Sequence, residues 1–101
     1  MIQRGDTGKL AVAQRALCRA IRSRRKVRFS YHAERRTVHP HVVFQSADGK
    51  VLLNGTEPPR KRWRTYDISG ISDLEILIDT FRPDPGFEPD SGHYYRVLCC
   101  I

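Results

Sequence analysis

Apolar residues follow a helical period in the first quarter of the chain and a period of two after it. From residue 7 to residue 26, apolar side chains recur at spacings of three and four, which places them on one face of an α-helix. The residues of this stripe are Leu10, Ala13, Leu17, Ala20 and Ile21. Asp6 or Thr7 can cap the first turn through a side-chain oxygen. We therefore predict a helix over residues 7–26 whose apolar stripe packs against a sheet.

At Val27 the pattern changes to the alternation of a half-buried β-strand. The alternation predicts strands over residues 27–31, 36–45, 51–53, 63–68 and 74–78. Pro40 interrupts the second strand and indicates an edge position or a bend, because proline cannot donate to the ladder. Gly49 marks a hairpin turn that requires a positive φ. Five short antiparallel strands behind one helix predict a mainly β fold with one N-terminal α-helix, closed or nearly closed into a small barrel.

The 101 residues are expected to form one domain. We predict a flexible N-terminus over residues 1–6, the helix and barrel over 7–80, and a proline-rich tail over 81–101. Residues 94–98 fit either an added strand or a short helix. No apolar run reaches the roughly 18 residues of a membrane span, so no membrane partner is expected. The start of the chain lacks the apolar stretch of a signal peptide, which indicates a cytoplasmic protein.

The three cysteines are Cys18, on the apolar helix face, and the adjacent Cys99 and Cys100. An odd number without regular spacing is typical neither of a disulfide framework nor of a zinc site. We expect small buried or incidental thiols. We predict no metal and no cofactor, because the pair His39 and His41 lacks a third ligand at a readable spacing.

The net charge of +7 is unevenly distributed along the chain. Residues 1–64 carry 16 Lys or Arg against four acidic residues, whereas residues 65–101 carry two against seven. The asymmetry predicts one positive and one negative surface. A positive surface suits the phosphates of a nucleotide or a nucleic acid. It suits equally an acidic patch on another copy of the chain or on another protein.

The segment 60–64 places a tryptophan among cations. In this combination the cations bind a phosphate backbone and the aromatic ring stacks on a base. In a strand, Arg62 and Arg64 share a face with Tyr66. Trp63 points to the opposite face and is predicted to lie in the core. A second basic run over residues 22–28 lies at the end of the helix, where the helix dipole alone favours cations.

Histidines supply the other candidate ligand contacts. His39 and His41 are two residues apart and share a face of a regular strand, and imidazole suits phosphate or base contacts. A structural role on a partly exposed sheet face is the alternative. The full set of candidate ligand-binding residues is Tyr31, His39, His41, Lys61, Arg62, Arg64 and Tyr66.

Several short motifs occur in an order and at spacings that resemble a known family. They are VRFSYH (27–32), PH (40–41), DGK (48–50), RTY (64–66), ISDLEI (71–76) and FRP (81–83). Over residues 17–88 the chain resembles a WYL domain. The resemblance implies an Sm-like small β-barrel that binds nucleotide-type ligands or single-stranded nucleic acid and regulates an attached helix-turn-helix module. Among the candidates it favours Tyr31 and His41.

The chain departs from the family pattern at two places. The Trp-Tyr-Leu tripeptide that names the family falls on residues 51–53 and keeps only the leucine. Asp67, Ser69 and Gly70 stand where the family tends to carry Arg, Asp and Arg. These changes weaken the inference about the ligand more than the inference about the fold.

The sequence carries none of the common hydrolase, phosphate-loop, zinc-protease or deaminase motifs, so we predict a protein that is not an enzyme. We expect a regulatory module that binds a nucleotide-type ligand or single-stranded nucleic acid. It would signal to a partner such as a helix-turn-helix regulator. The alternative is a protein–protein interaction or homo-oligomerisation module whose ligand site is degenerate.

Overall fold

The computed structural model describes residues 4–101, with side chains from residue 8 onward. Helix α1 spans Arg4–Ser23 and ends where Arg24 adopts a positive φ of 56°. The strands are β1 (Arg25–Tyr31), β2 (Glu34–Gln45), β3 (Val51–Glu57), β4 (Arg62–Asp67), β5 (Ile71–Thr80) and β6 (Arg96–Cys100). A 3-10 turn over Ile68–Gly70 separates β4 from β5. No helix in this part of the chain is long and apolar enough to cross a membrane.

Strand β2 is the centre of the sheet. Its first half pairs with β1, and its second half pairs with β3 on one side and with β6 on the other. The register shifts between Pro40 and Val42, so the strand is irregular where its partners change. Of the two predicted alternatives for Pro40, a bend or an edge position, the bend is therefore correct, because β2 is not an edge strand.

The sheet has six antiparallel strands rather than the predicted five, in the order β4-β3-β2-β1-β5 with β6 paired to β2. Within residues 4–101 no pairing joins β4 to β5, so the sheet is not closed into a barrel. For residues 94–98 the sequence allowed an added strand or a short helix; the structure has a strand there, β6, over Arg96–Cys100. The mainly β fold with one N-terminal helix is confirmed.

Several element boundaries differ from the prediction; for example, α1 ends at Ser23 rather than at residue 26, and β5 spans Ile71–Thr80 rather than residues 74–78. Helix α1 begins at Arg4, three residues before the predicted start, and residues 1–3 lie outside the described part of the chain. Strand β3 continues to Glu57, four residues beyond its predicted end at residue 53. A β-carbon at Gly55 would lie 2.4 Å from the His39 carbonyl oxygen, so glycine is needed where β2 and β3 approach closely. Gly55 therefore allows the two strands to pack closely and does not end β3.

The core lies between α1 and the sheet. Leu17, Ala20 and Ile21 of the predicted stripe are fully buried, together with Phe29 of β1. The rings of Phe29 and Tyr66 meet edge to face at 5.1 Å. Each large apolar side chain buried in this way contributes about 1.5–3 kcal/mol, so the packing of α1 on the sheet stabilises the fold.

A disulfide joins Cys18 of α1 to Cys99 of β6, which corrects the prediction that all three cysteines are free thiols. Cys100 remains free. The bond forms because the apolar stripe of α1 faces the sheet and β6 brings Cys99 beneath it. With a sequence separation of 81 between the two cysteines, local spacing carries no signal of the pairing. In the chain-entropy model a loop of this length stabilises the fold by about 4.5 kcal/mol.

Candidate functional site

The β3–β4 hairpin carries most of the predicted ligand residues, and strand alternation divides them between two faces. Thr56 pairs with Trp63, and Glu57 pairs with Arg62. One face of β4 holds Arg62, Arg64 and Tyr66, which we call the arginine face. The opposite face holds Trp63, and the hairpin loop holds Lys61.

Tyr66, at the inner end of the arginine face, is only 1% exposed and donates its hydroxyl hydrogen bond to the Glu57 carboxylate. Burial, together with this hydrogen bond, raises the pKa of Tyr66 well above its usual value. Arg36 on β2 also contacts Glu57, with Nη1 3.1 Å from Oε2. Burial opposes ionisation of Glu57, but the hydrogen bonds from Tyr66 and Arg36 outweigh it and lower the pKa of Glu57. Glu57 is therefore a carboxylate whose charge is already partnered.

Arg60, Arg62 and Arg64 border a small cleft of about 180 Å³ beside Glu57. Within the part of the chain that the structure describes, none of the three arginines forms an ion pair. The Nε of Arg64 is buried and has no hydrogen-bond partner. The arginine face thus presents guanidinium donors that an anion can satisfy.

Trp63 is 38% exposed, so the prediction that it lies in the core is wrong. Its ring contacts His41 edge-on at 4.9 Å and lies nearly parallel to Phe87 at 6.1 Å. With Phe44 and Tyr94 it lines a cleft of about 380 Å³. The outer face of β4 is covered only in part, by the segment that follows β5, and sequence alternation cannot predict where that segment runs.

His41 is fully buried, and both of its ring nitrogens are occupied. The Asp84 backbone N–H donates to Nε2 at 2.9 Å, so Nδ1 carries the proton and donates to the His39 carbonyl at 2.8 Å. Burial lowers the pKa of His41 and keeps the ring neutral. His41 therefore fastens the tail to the sheet and offers no free nitrogen to a ligand.

Tyr31 is half-buried at the end of β1 and lies apart from the arginines. Its hydroxyl oxygen accepts a hydrogen bond from the Asp67 backbone N–H at 3.1 Å. Its ring packs edge-on against Tyr66 at 5.2 Å. A β-carbon at Gly70 would lie 3.1 Å from the Tyr31 ring, which explains glycine at that position.

His39 and Lys61 lie in a further place, a cleft of about 340 Å³ that Lys26 and Arg82 also line. The His39 ring stacks on Phe81 at 4.9 Å and 16°. The predicted site residues are therefore distributed over four places on the sheet. Sequence reasoning noted Lys26 only as part of a basic run and missed Arg82, because nothing local places residue 82 beside the start of β1.

Comparison with known proteins agrees with this architecture. The sequence model of the WYL domain matches residues 13–76. None of the curated proteins matches the chain significantly. Among solved structures, the chain is similar to the proteasome accessory factor B/C (PafBC) of Arthrobacter aurescens, with a TM-score of 0.68 and 22% identity. The similarity covers 76% of this chain but only 13% of PafBC, and at this identity it shows the fold alone.

Proposed function

The chain belongs to the WYL domain family, and on that basis we propose that it is a regulatory module that binds a phosphate-bearing ligand. The ligand is a nucleotide or single-stranded nucleic acid, and the arginine face receives its phosphates. The module performs no catalysis. Its bound state is passed to a partner protein, for which a helix-turn-helix regulator is the first candidate. The compartment we propose is the cytoplasm, where nucleotides and nucleic acids are abundant and where a disulfide such as Cys18–Cys99 is an exception.

The observation that carries this proposal is that the Glu57 carboxylate is bonded to residues other than Arg62 and Arg64. This carboxylate lines the cleft that the arginines border, and it is already held by Arg36 and Tyr66. Arg62 and Arg64 form no ion pair within residues 8–101, so their guanidinium donors remain available to an anion. Guanidinium groups bind phosphate oxygens through paired hydrogen bonds, which makes them well suited to this ligand.

The exposed Trp63 supports a ligand that contains bases. Because β4 is an edge strand, a single strand lying along it can contact the arginines on one face and the Trp63 ring on the other. Stacking of a base on an aromatic side chain contributes about 1–3 kcal/mol and accepts any base. The expected preference is therefore for single strands, with little dependence on sequence.

Fluorescence anisotropy of labelled single-stranded DNA and RNA tests the proposal, with titrations at about 50 and 200 mM salt. Wild-type protein should bind with micromolar or tighter affinity that falls steeply with salt. The Arg62→Ala/Arg64→Ala variant should bind weakly, with a log–log salt slope shallower by about 1.4, since each phosphate contact on a single strand contributes about 0.7. Arg15→Ala/Arg19→Ala removes the same charge from the exposed side of α1 and is the control. Absence of saturable binding to oligonucleotides and nucleotides would refute the proposal.

A second candidate function, self-association or binding of a partner protein, is favoured by the free edge of the sheet at β5. Ile78 on this strand is 87% exposed. An apolar cleft between α1 and β5 is lined by Val12, which is 58% exposed, and by Leu74. Light scattering after size exclusion should show a dimer that Ile78→Lys converts to a monomer. A wild-type monomer that captures no partner would reject this candidate.

A further inference from the structure

We propose that the cleft lined by Lys26, His39, Lys61 and Arg82 is a separate binding site for a terminal phosphate group. This Lys–Arg cleft lies apart from the arginine face, and its ligand is a phosphate monoester. The shared chemistry covers free phosphate, a nucleoside monophosphate and the 5′-phosphate of a nucleic acid. The inference does not depend on the arginine face, because the two sites share no residue.

Backbone pairing holds the cations of the Lys–Arg cleft in place. Arg25 pairs with Thr80 across β1 and β5, and the Phe81 N–H donates to the Arg24 carbonyl at 2.9 Å. These contacts place Arg82 next to Lys26, although 56 positions separate them in the sequence. The cleft is thus built from well-ordered β structure on one side.

The opposite side of the cleft comes from the hairpin. His39 pairs with Thr56, and Thr56 pairs in turn with Trp63. Lys61 precedes β4 in the loop and adopts a positive φ of 53°, which ends the loop next to Thr56. Four separate parts of the chain therefore bring basic groups or an imidazole to one cleft.

The charge of the cleft matches a phosphate monoester. Lys26, Lys61 and Arg82 form no ion pair within residues 8–101. Asp84 is the one carboxylate in the lining, and its Oδ1 accepts a hydrogen bond from the Gly86 N–H at 2.7 Å. Two positive charges remain uncompensated, and a phosphate monoester carries about −1.5 to −2 at neutral pH. A phosphodiester, with a single negative charge, would leave part of this charge unbalanced.

His39 supplies a directional contact in addition to charge. Its Nε2 is buried and has no hydrogen-bond partner, and its ring is held by stacking on Phe81. A buried polar atom without a partner is destabilising, so a ligand that hydrogen-bonds to it removes this cost on binding. An N–H at Nε2 would donate to a phosphate oxygen. Burial and the nearby Lys26 lower the pKa of His39, which is consistent with a ring placed in a positive field.

The size of the cleft favours a small group over a chain. Its volume of about 340 Å³ is at the lower end of the range of small-molecule sites, which is about 300–1,000 Å³. Segment 80–85 forms one wall. A polynucleotide would reach the cleft with its end, where a monoester is found.

Isothermal titration calorimetry with inorganic phosphate and with AMP tests the proposal, and adenosine is the ligand without phosphate. Trp63, the single tryptophan, gives a second signal because it is two residues from Lys61. Phosphate and AMP should bind saturably with a Kd below about 1 mM, and adenosine should not bind. Lys26→Gln/Arg82→Gln should weaken phosphate binding at least tenfold, and His39→Phe, which retains the stacked ring, several-fold. Circular dichroism confirms that each variant is folded.

The Arg62→Ala/Arg64→Ala protein, in which the arginine face is removed, shows whether the phosphate group belongs to a nucleotide or to the end of a nucleic acid. A 5′-phosphorylated oligonucleotide that binds more tightly than AMP indicates a nucleic acid end, and the reverse order indicates a nucleotide. In the same protein a 5′-hydroxyl oligonucleotide should bind weakly. One outcome separates the two proposals. If phosphate binding depends on Lys26 and Arg82 but the wild-type protein does not bind oligonucleotides, only the function proposed for the arginine face is refuted. The Lys–Arg cleft is overturned if phosphate and AMP do not bind saturably. It is also overturned if Arg15→Gln/Arg19→Gln weakens binding as much as Lys26→Gln/Arg82→Gln.

Discussion

Protonation of His41 should detach the tail from the sheet and destabilise the fold in mildly acidic solution. The neutral ring accepts from the Asp84 N–H through Nε2 and donates to the His39 carbonyl through Nδ1. A protonated ring has no lone pair for the Asp84 N–H and would bury a charge. Burial accordingly lowers the pKa of His41 from its ordinary value of 6.5.

The sign of the pH dependence follows from this direction. Below pH 6.5 the unfolded chain binds a proton at residue 41 that the folded protein does not, so stability falls as pH decreases. From pH 6.5 to 5.5 the loss is at most about 1.4 kcal/mol, the value of one pKa unit. Burial also lowers the pKa of the partly exposed His39, which contributes in the same direction. The pKa of Glu57 lies below its ordinary 4.5, so this carboxylate does not titrate in that window.

Urea denaturation at pH 7.5, 6.5 and 5.5 measures the effect through Trp63, whose ring is 4.9 Å from that of His41. Wild-type stability should be constant above pH 7 and decline below it. His41→Phe should cost about 1–3 kcal/mol at pH 7.5, because two partly buried backbone groups lose their partner, and its decline with acid should be smaller. His93→Gln, at an exposed histidine of the tail, should retain the wild-type decline. Equal pH dependence in wild type and His41→Phe would refute the reasoning.

Three further substitutions or treatments test the packing. Tyr66→Phe removes the hydroxyl donor of the partly buried Glu57 carboxylate and should lower the free energy of unfolding by about 1–3 kcal/mol in urea titrations; an unchanged midpoint would contradict the bond to that carboxylate. Gly55→Ala places a β-carbon against a carbonyl of β2 and should lower the melting temperature by several degrees, whereas Gly8→Ala, which meets open space, should not. Reduction of the Cys18–Cys99 bond by dithiothreitol should lower the melting temperature by more than about 10 °C, since each kcal/mol corresponds to about 4–8 °C; an unchanged calorimetric transition would show that the disulfide does not stabilise the protein.

Periodicity predicted the elements whose patterns are local. The stripe containing Leu17 and Ile21 packs on the sheet as expected, and the alternation from Val27 begins the first strand region. Gly49 has the positive φ that its turn requires. These features depend on neighbouring residues alone, so the sequence carries them directly.

Features that depend on distant parts of the chain could not be predicted in this way. Trp63 is exposed because the segment that follows β5 covers the outer face of β4 only in part, and alternation does not show where that segment runs. The bond between Cys18 and Cys99 requires β6 to pair with β2, a pairing without a local signal. The Lys–Arg cleft requires Arg82 to return to the start of β1. In each case the missing information was the position of the segment after β5.

The substitution at Asp67 shows how the chain departs from its family without losing its structure. The Asp67 carboxylate accepts from the Ser69 N–H at 3.0 Å and caps the 3-10 turn between β4 and β5. The Asp67 backbone N–H is held by the Tyr31 hydroxyl, so the position is anchored on both sides. An arginine at position 67 would add a cation at the C-terminal end of β4. In this chain the cations of this region lie instead around the N-terminal end of β4, from Arg60 to Arg64. A ligand that follows positive charge would therefore meet the hairpin-loop end of β4, where the arginine face and the Lys–Arg cleft both open.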